Sequence, residues 1–204
     1  MAERLAVSRL SVQRKANFAP QAQEHANLGA RVFAYAVDSL VLFAFTMLFV
    51  SAAFLNVFFR SDSGRTNPSD AVLWDSVAIL MATVPAWLLF NLLLTLRRGQ
   101  SVGQYIVGLR LVRERGSSPG LLRILVYWLA LHPLLFHPLL AAFWIILGLV
   151  SVSLAESQVA FIGSVAVALL CLIAPLAGFL FALGDSERRG IHDWIAGTKL
   201  VRIE

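Results

Sequence analysis

Four long stretches without a single Asp, Glu, Lys or Arg dominate this sequence: 21 residues between Asp38 and Arg60, 21 between Asp75 and Arg97, 32 between Arg123 and Glu156, and 28 between Glu156 and Asp185. A helix needs about 20 apolar residues to cross the hydrocarbon core of a bilayer, so every stretch is long enough. Lipid offers nothing to hydrogen-bond a free peptide group, so helices and closed barrels are the structures that cross it, and these runs lack the alternation of barrel strands. The expected fold class is an all-α membrane protein with four transmembrane helices, drawn over residues 30–55, 72–96, 125–150 and 159–183. Composition agrees, with 58% hydrophobic and 14% charged residues, where a soluble domain has about a quarter charged.

The basic residues set the orientation. Five Lys or Arg lie up to Arg31, two in the first loop, six from Arg97 to Arg123, none in the third loop and four in the C-terminal tail. With four spans, fifteen fall on one side and two on the other, and the positive-inside rule makes the rich side cytoplasmic. Both termini then face the cytoplasm, in a multi-pass protein. The net charge of +5 fits anionic lipid headgroups, and with no nucleic-acid-binding motif present nucleic acid is not an expected partner. Cys171 is the single cysteine, which excludes an internal disulfide and a thiolate metal cluster. Residues 1–28 read as a basic cytoplasmic tail carrying Arg4, Arg9, Arg14 and Lys15, ahead of a membrane domain over 29–204. They lack the apolar core and cleavage site of a signal peptide; an Arg-rich organelle transit peptide is the alternative.

A search for self-similarity is the most informative step. After the second span the chain reads Tyr105-Ile-Val-Gly108-Leu-Arg110-Leu-Val-Arg113, and after the fourth Trp194-Ile-Ala-Gly197-Thr-Lys199-Leu-Val-Arg202. Arg31-x-x-x-Tyr35 opens the first span and Arg123-x-x-x-Tyr127 the third. The expectation is two parallel-related two-helix repeats, over about 29–115 and 120–204, related by an axis along the membrane normal. Each ends in a short interfacial helix (102–107 and 186–196) and a β-like stretch (109–113 and 198–203), and the two stretches could pair as a small sheet. In the third span, His132-Pro133 and His137-Pro138 predict a kinked or broken helix, because each proline removes a hydrogen bond and crowds the carbonyl four residues back. In the fourth, Ala174, Gly178 and Ala182 form a small-residue face, most simply a packing seam. Trp74, Trp87, Trp128, Trp144 and Trp194 lie mostly near predicted span boundaries, which is ordinary interfacial anchoring.

Asp38 is the most unusual residue, a carboxylate about two turns inside the first span, where a charge must face a partner, water or the bundle interior. Arg31, Tyr35 and Asp38 share one stripe at i, i+4 and i+7. Asp193 is the second carboxylate, with Arg189 or Arg31 able to supply its counter-charge; a bridge from Arg31 would tie the tail to the first helix. The repeat alignment sets Ala130 opposite Asp38 and Gln104 opposite Asp193, so each carboxylate occurs in one half alone. Arg31, Asp38 and Asp193 are therefore the candidates for ion or proton binding or for a structural ion pair. His192 titrates near neutrality if exposed. His132 and His137 could relay protons, but five residues apart they leave a regular helix on different faces, so no metal site or cofactor is expected. HExxH, GxSxG and phosphate-loop motifs are absent, and an enzyme is not expected.

These residues resemble the RDD family of small membrane proteins, named for one arginine and two aspartates. Arg31 with Asp38 is similar to its first-helix motif, Gly103 through Val112 (GQYIVGLRLV) to its loop after the second hydrophobic stretch, and Arg188 through Val201 (RRGIHDWIAGTKLV) to its C-terminal signature. Val102, where such loops often carry a proline, and the His-Pro pairs depart from the pattern. The resemblance implies a bacterial inner-membrane protein of loosely defined function: some members are linked to sodium/proton antiport, and related domains are accessory parts of larger complexes. Two functions follow as expectations. One is a transport-associated protein in which Asp38, with Asp193, binds a monovalent cation or proton and Arg31 biases its charge; four helices are few for a pathway, so this favours a homo-oligomer. The other is an accessory or assembly protein that docks a membrane protein partner.

Overall fold

The computed structural model describes residues 26–203; the expected basic tail lies, but for its last three residues, outside them. The chain runs α1 (Leu28–Arg60), α2 (Asp70–Met81), α3 (Thr83–Arg98), α4 (Val102–Val107), β1 (Leu109–Arg113), α5 (Leu121–Leu129), α6 (Pro138–Ala155), α7 (Gln158–Gly184), α8 (Ile191–Ala196) and β2 (Thr198–Arg202). Among the described residues, three stretches are long and apolar enough to cross a membrane: Leu28–Arg60, Asp70–Val107 and Gln158–Gly184. The apolar helix at Pro138–Ser153 is shorter.

Prolines explain the interruptions. Pro85 sits four residues after Met81, where α2 ends, and the joint at Ala82 keeps right-handed helical angles, so α2 and α3 continue as one rod. Pro133 likewise stands four residues after Leu129, where α5 ends. Here the helix stops outright, and the chain stays non-helical until Pro138 opens α6 at its first position. The expected third span at 125–150 is thus two helices with a non-helical joint.

Backbone groups in that joint would be costly in lipid unless the protein satisfies them. His132 Nδ1 accepts the Leu134 N–H at 3.2 Å, and Trp87 Nε1 donates to the Leu134 carbonyl at 3.0 Å. Trp87 and Trp128, both 1% exposed, are therefore core residues rather than interfacial anchors; Trp128 donates to Thr95 Oγ1 at 3.2 Å.

At the end of the bundle where α1 begins, β1 and β2 pair antiparallel, with Leu109 opposite Arg202, Leu111 opposite Leu200 and Arg113 opposite Thr198. Gly108 and Gly197 close α4 and α8 in the left-handed region, at φ 71° and 60°, and turn the chain into the strands. Ala26 joins the edge by donating to the Leu200 carbonyl at 3.2 Å. Leu109, Leu111, Ile124, Tyr127, Trp128, Leu134 and Leu200 form one buried core there. A second core, around Leu42, Trp87, Leu140, Ala168 and Cys171, holds α1, α3, α6 and α7 together. The interfacial helix expected over 186–196 forms only from Ile191, because Asp185 binds the backbone N–H groups of Glu187 and Arg189 and holds a turn there.

Candidate functional site

Asp38, on the third turn of α1, is 2% exposed. Its Oδ2 accepts the Ser101 hydroxyl at 2.6 Å and its Oδ1 accepts the Gly103 N–H at 2.7 Å. The carboxylate therefore helps cap α4, alongside a capping box in which Ser101 Oγ accepts the Gln104 N–H at 3.2 Å and Gln104 Oε1 accepts the Ser101 N–H at 3.0 Å. This requires close approach. A Cβ at Gly103 would lie 2.0 Å from the Ala34 carbonyl oxygen and 2.9 Å from Asp38 Cγ, so glycine is the residue that fits. Ser101 and Gly103 are site residues that sequence reasoning missed.

Asp193 takes in α8 the place that Gln104 takes in α4. It is fully buried, and its Oδ2 accepts the Gly190 N–H at 3.1 Å. The same oxygen meets Arg31 Nη1 at 2.9 Å, with the arginine side chain 11% exposed. Arg31 Nε and Nη2 are buried without a hydrogen-bond partner. Arg189 serves elsewhere: it binds Asp185 at 3.1 Å and Glu114 at 2.8 Å. Its hydrogen bond holds the Asp185 carboxyl down at about 2.

The break after α5 sends the two histidines in different directions. The His132 ring packs on Trp128 at 4.1 Å, Tyr127 at 4.6 Å and His192 at 4.6 Å between centroids. His137 turns to α1, where Nε2 lies 2.9 Å from Ser39 Oγ and the ring 5.4 Å from that of Tyr35. Its Nδ1 accepts the Leu139 N–H at 3.2 Å. Among the described residues no group of three or more His, Cys, Asp or Glu side chains is placed to hold a metal ion.

His192 is 8% exposed and lies 3.8 Å from Asp193 through Nε2. Burial pushes its imidazole below the usual value, Asp193 opposes that, and Arg31 adds to it. The unfolded chain then takes up this proton at about pH 6.5, before the folded protein does, so stability present above that pH is lost as pH falls through it. Thermal midpoints in detergent should drop on acidification, and His192→Phe should remove part of the slope. An unchanged slope in the variant would show that His192 is not among the groups responsible.

Arg31, Tyr35, Asp38, Gln104, Tyr127, His132 and His192 all line one cavity of about 330 Å³. Its far wall is α7, with Pro175, Gly178, Phe179 and Ala182. The small-residue face is thus not the expected packing seam at its centre: a Cβ on Gly178 would meet nothing within 4 Å. The family model for the RDD family matches residues 25–197 of this chain. The chain belongs to the RDD family. No curated protein and no solved structure matches it. The RDD match takes in Arg31, Asp38 and Asp193 together, and in this RDD protein each aspartate accepts a backbone N–H at the start of one of the two short helices.

Proposed function

We propose that this chain is a four-span, transport-associated protein of the bacterial inner membrane that binds a proton or a monovalent cation at Asp38. The observation that carries the reading is a division of labour. Arg31 is engaged by Asp193, so Asp38 faces the cavity with neutral donors alone, the Ser101 hydroxyl and the Gly103 N–H. A carboxylate without a counter-charge at membrane depth is costly, and a proton or small cation entering the cavity offsets that cost. The Arg31–Asp193 pair is the fixed part that ties α8 to α1.

Four spans are supported by α6, whose 18 residues reach about 27 Å against a hydrocarbon core of about 30 Å. The distribution of Lys and Arg supports cytoplasmic termini. The repeat draws support from the sheet: aligned positions Leu111 and Leu200 face each other at its centre, the register that a twofold axis between two copies produces. Because four helices are few for enclosing a pathway, transport favours a homo-oligomer. That same shortage favours the second reading, an accessory protein docked on a membrane partner; purification in neutral detergent that recovers this chain alone would count against it.

Reconstituted vesicles test the first reading. A pH gradient should drive sodium or potassium flux, and Asp38→Asn should reduce it by about tenfold or more, as expected when a charge essential to binding is removed. No flux from the parent, or equal flux from the variant, sinks it.

A further inference from the structure

The cavity is walled mostly by apolar side chains and carries charged groups at two separated points. One point is Arg31, whose Nε and Nη2 are buried with no partner, beside His192, whose Nδ1 is also unpartnered. The other is Asp38, seven residues along α1 and so about 10 Å away along the axis. A bare anion would meet two carboxylates, Asp38 and Asp193, for one guanidinium. A bare cation would leave the Arg31 donors unsatisfied, a cost for any buried polar group. A ligand carrying both charges answers both ends.

The walls say how such a ligand enters. Val32 on α1 and Phe179 on α7 line the cavity yet are 47% and 41% exposed. The mouth therefore opens sideways between these helices, on the apolar outer surface, next to Arg31. Opposite, Gly178 leaves empty space. We infer that the cavity seats the head group of a zwitterionic lipid with a primary ammonium: its phosphate on the free N–H edge of Arg31, its ammonium on Asp38, and its acyl chains leaving past Val32 and Phe179. The inference rests on Asp38 as the cation-binding group and goes further in naming the cation's carrier.

Native mass spectrometry of the full-length protein, given equal amounts of phosphatidylethanolamine, phosphatidylcholine and phosphatidylglycerol, tests it. Phosphatidylethanolamine adducts should exceed the others by about tenfold, because a quaternary ammonium donates no hydrogen bond and phosphatidylglycerol has no cation. Gly178→Leu, or Ala182→Leu on the same wall, should fill the void and abolish the adduct while keeping the parent's thermal midpoint when both are measured without added lipid. Asp38→Asn should lose the preference over phosphatidylglycerol. Equal adducts of all three lipids, or adducts that persist in both plugged variants, overturn the inference. So does displacement of the lipid by equimolar phosphoethanolamine or free leucine, which would make the ligand water-soluble. Selective lipid binding without flux would overturn only the exchange of ions at Asp38; Asp38-dependent flux without lipid selectivity would overturn only the lipid.

Discussion

Replacing Gly103 with alanine is expected to abolish the folded protein. The new Cβ would stand 2.0 Å from the Ala34 carbonyl oxygen, an atom of helix backbone that cannot swing aside as a long side chain would. Relief requires moving α4 away from α1, which breaks the Asp38 bonds to Gly103 and Ser101. Overpacking alone costs about 1–3 kcal/mol, and a buried carboxylate losing its donors adds a similar amount. Together these reach the low end of the stability of a typical protein, about 5–15 kcal/mol. Gly178→Ala is the control, since its Cβ meets nothing within 4 Å and alanine gains up to about 1 kcal/mol over glycine in a helix. In fluorescence-detected size exclusion the first variant should lose the monodisperse peak and the second keep it. Two similar peaks would refute the close contact between α1 and α4.

Removing the charge of Arg31 should have the next largest effect. In Arg31→Met, Asp193 stays fully buried with the Gly190 N–H, a long 3.5 Å contact from Thr198 and the His192 ring, 3.8 Å away through Nε2, as its polar neighbours. Breaking one partner out of a buried pair costs about 3–5 kcal/mol. Neutralising the other partner should return much of it, so Arg31→Met with Asp193→Asn should be more stable than Arg31→Met alone. Asparagine can still accept the Gly190 N–H and cap α8. Thermal midpoints of the two singles and the double form a cycle whose coupling measures the pair. Strictly additive losses would show that the two residues act separately.

How much of this was legible in the sequence depends on whether the deciding interaction is local. The charge-free runs predicted helices at 30–55 and 159–183, and α1 and α7 cover those ranges and run past them, to Leu28–Arg60 and Gln158–Gly184. Hydropathy reads the part of a helix that needs lipid, not the turns that project beyond it. The His-Pro pairs announced a break, because proline chemistry is local. Where the chain goes after the break depends on partners distant in sequence, so nothing in the sequence sent His132 to α8 and His137 to α1. The spacing of Ala174, Gly178 and Ala182 is the same for a seam and for a cavity wall, and which one forms depends on whether a neighbouring helix comes close. Gly103 is one glycine among 13, and its requirement arises from a helix 65 residues away. Trp87 and Trp128 read as anchors because they are amphipathic; burial with a satisfied N–H suits the same side chain equally well.

The bonds around His137 have a direction. Because Nδ1 accepts from the Leu139 amide, the ring proton sits on Nε2 and points at Ser39 Oγ, and the Ser39 hydroxyl in turn points at the Tyr35 carbonyl at 2.7 Å. A hydrogen-bonded row conducts protons only if every member can exchange its giving and receiving roles and then reset. This row starts at a peptide N–H that can only give and ends at a peptide carbonyl that can only receive. In this arrangement it is polarised one way and works as a strut bracing the broken helix against α1.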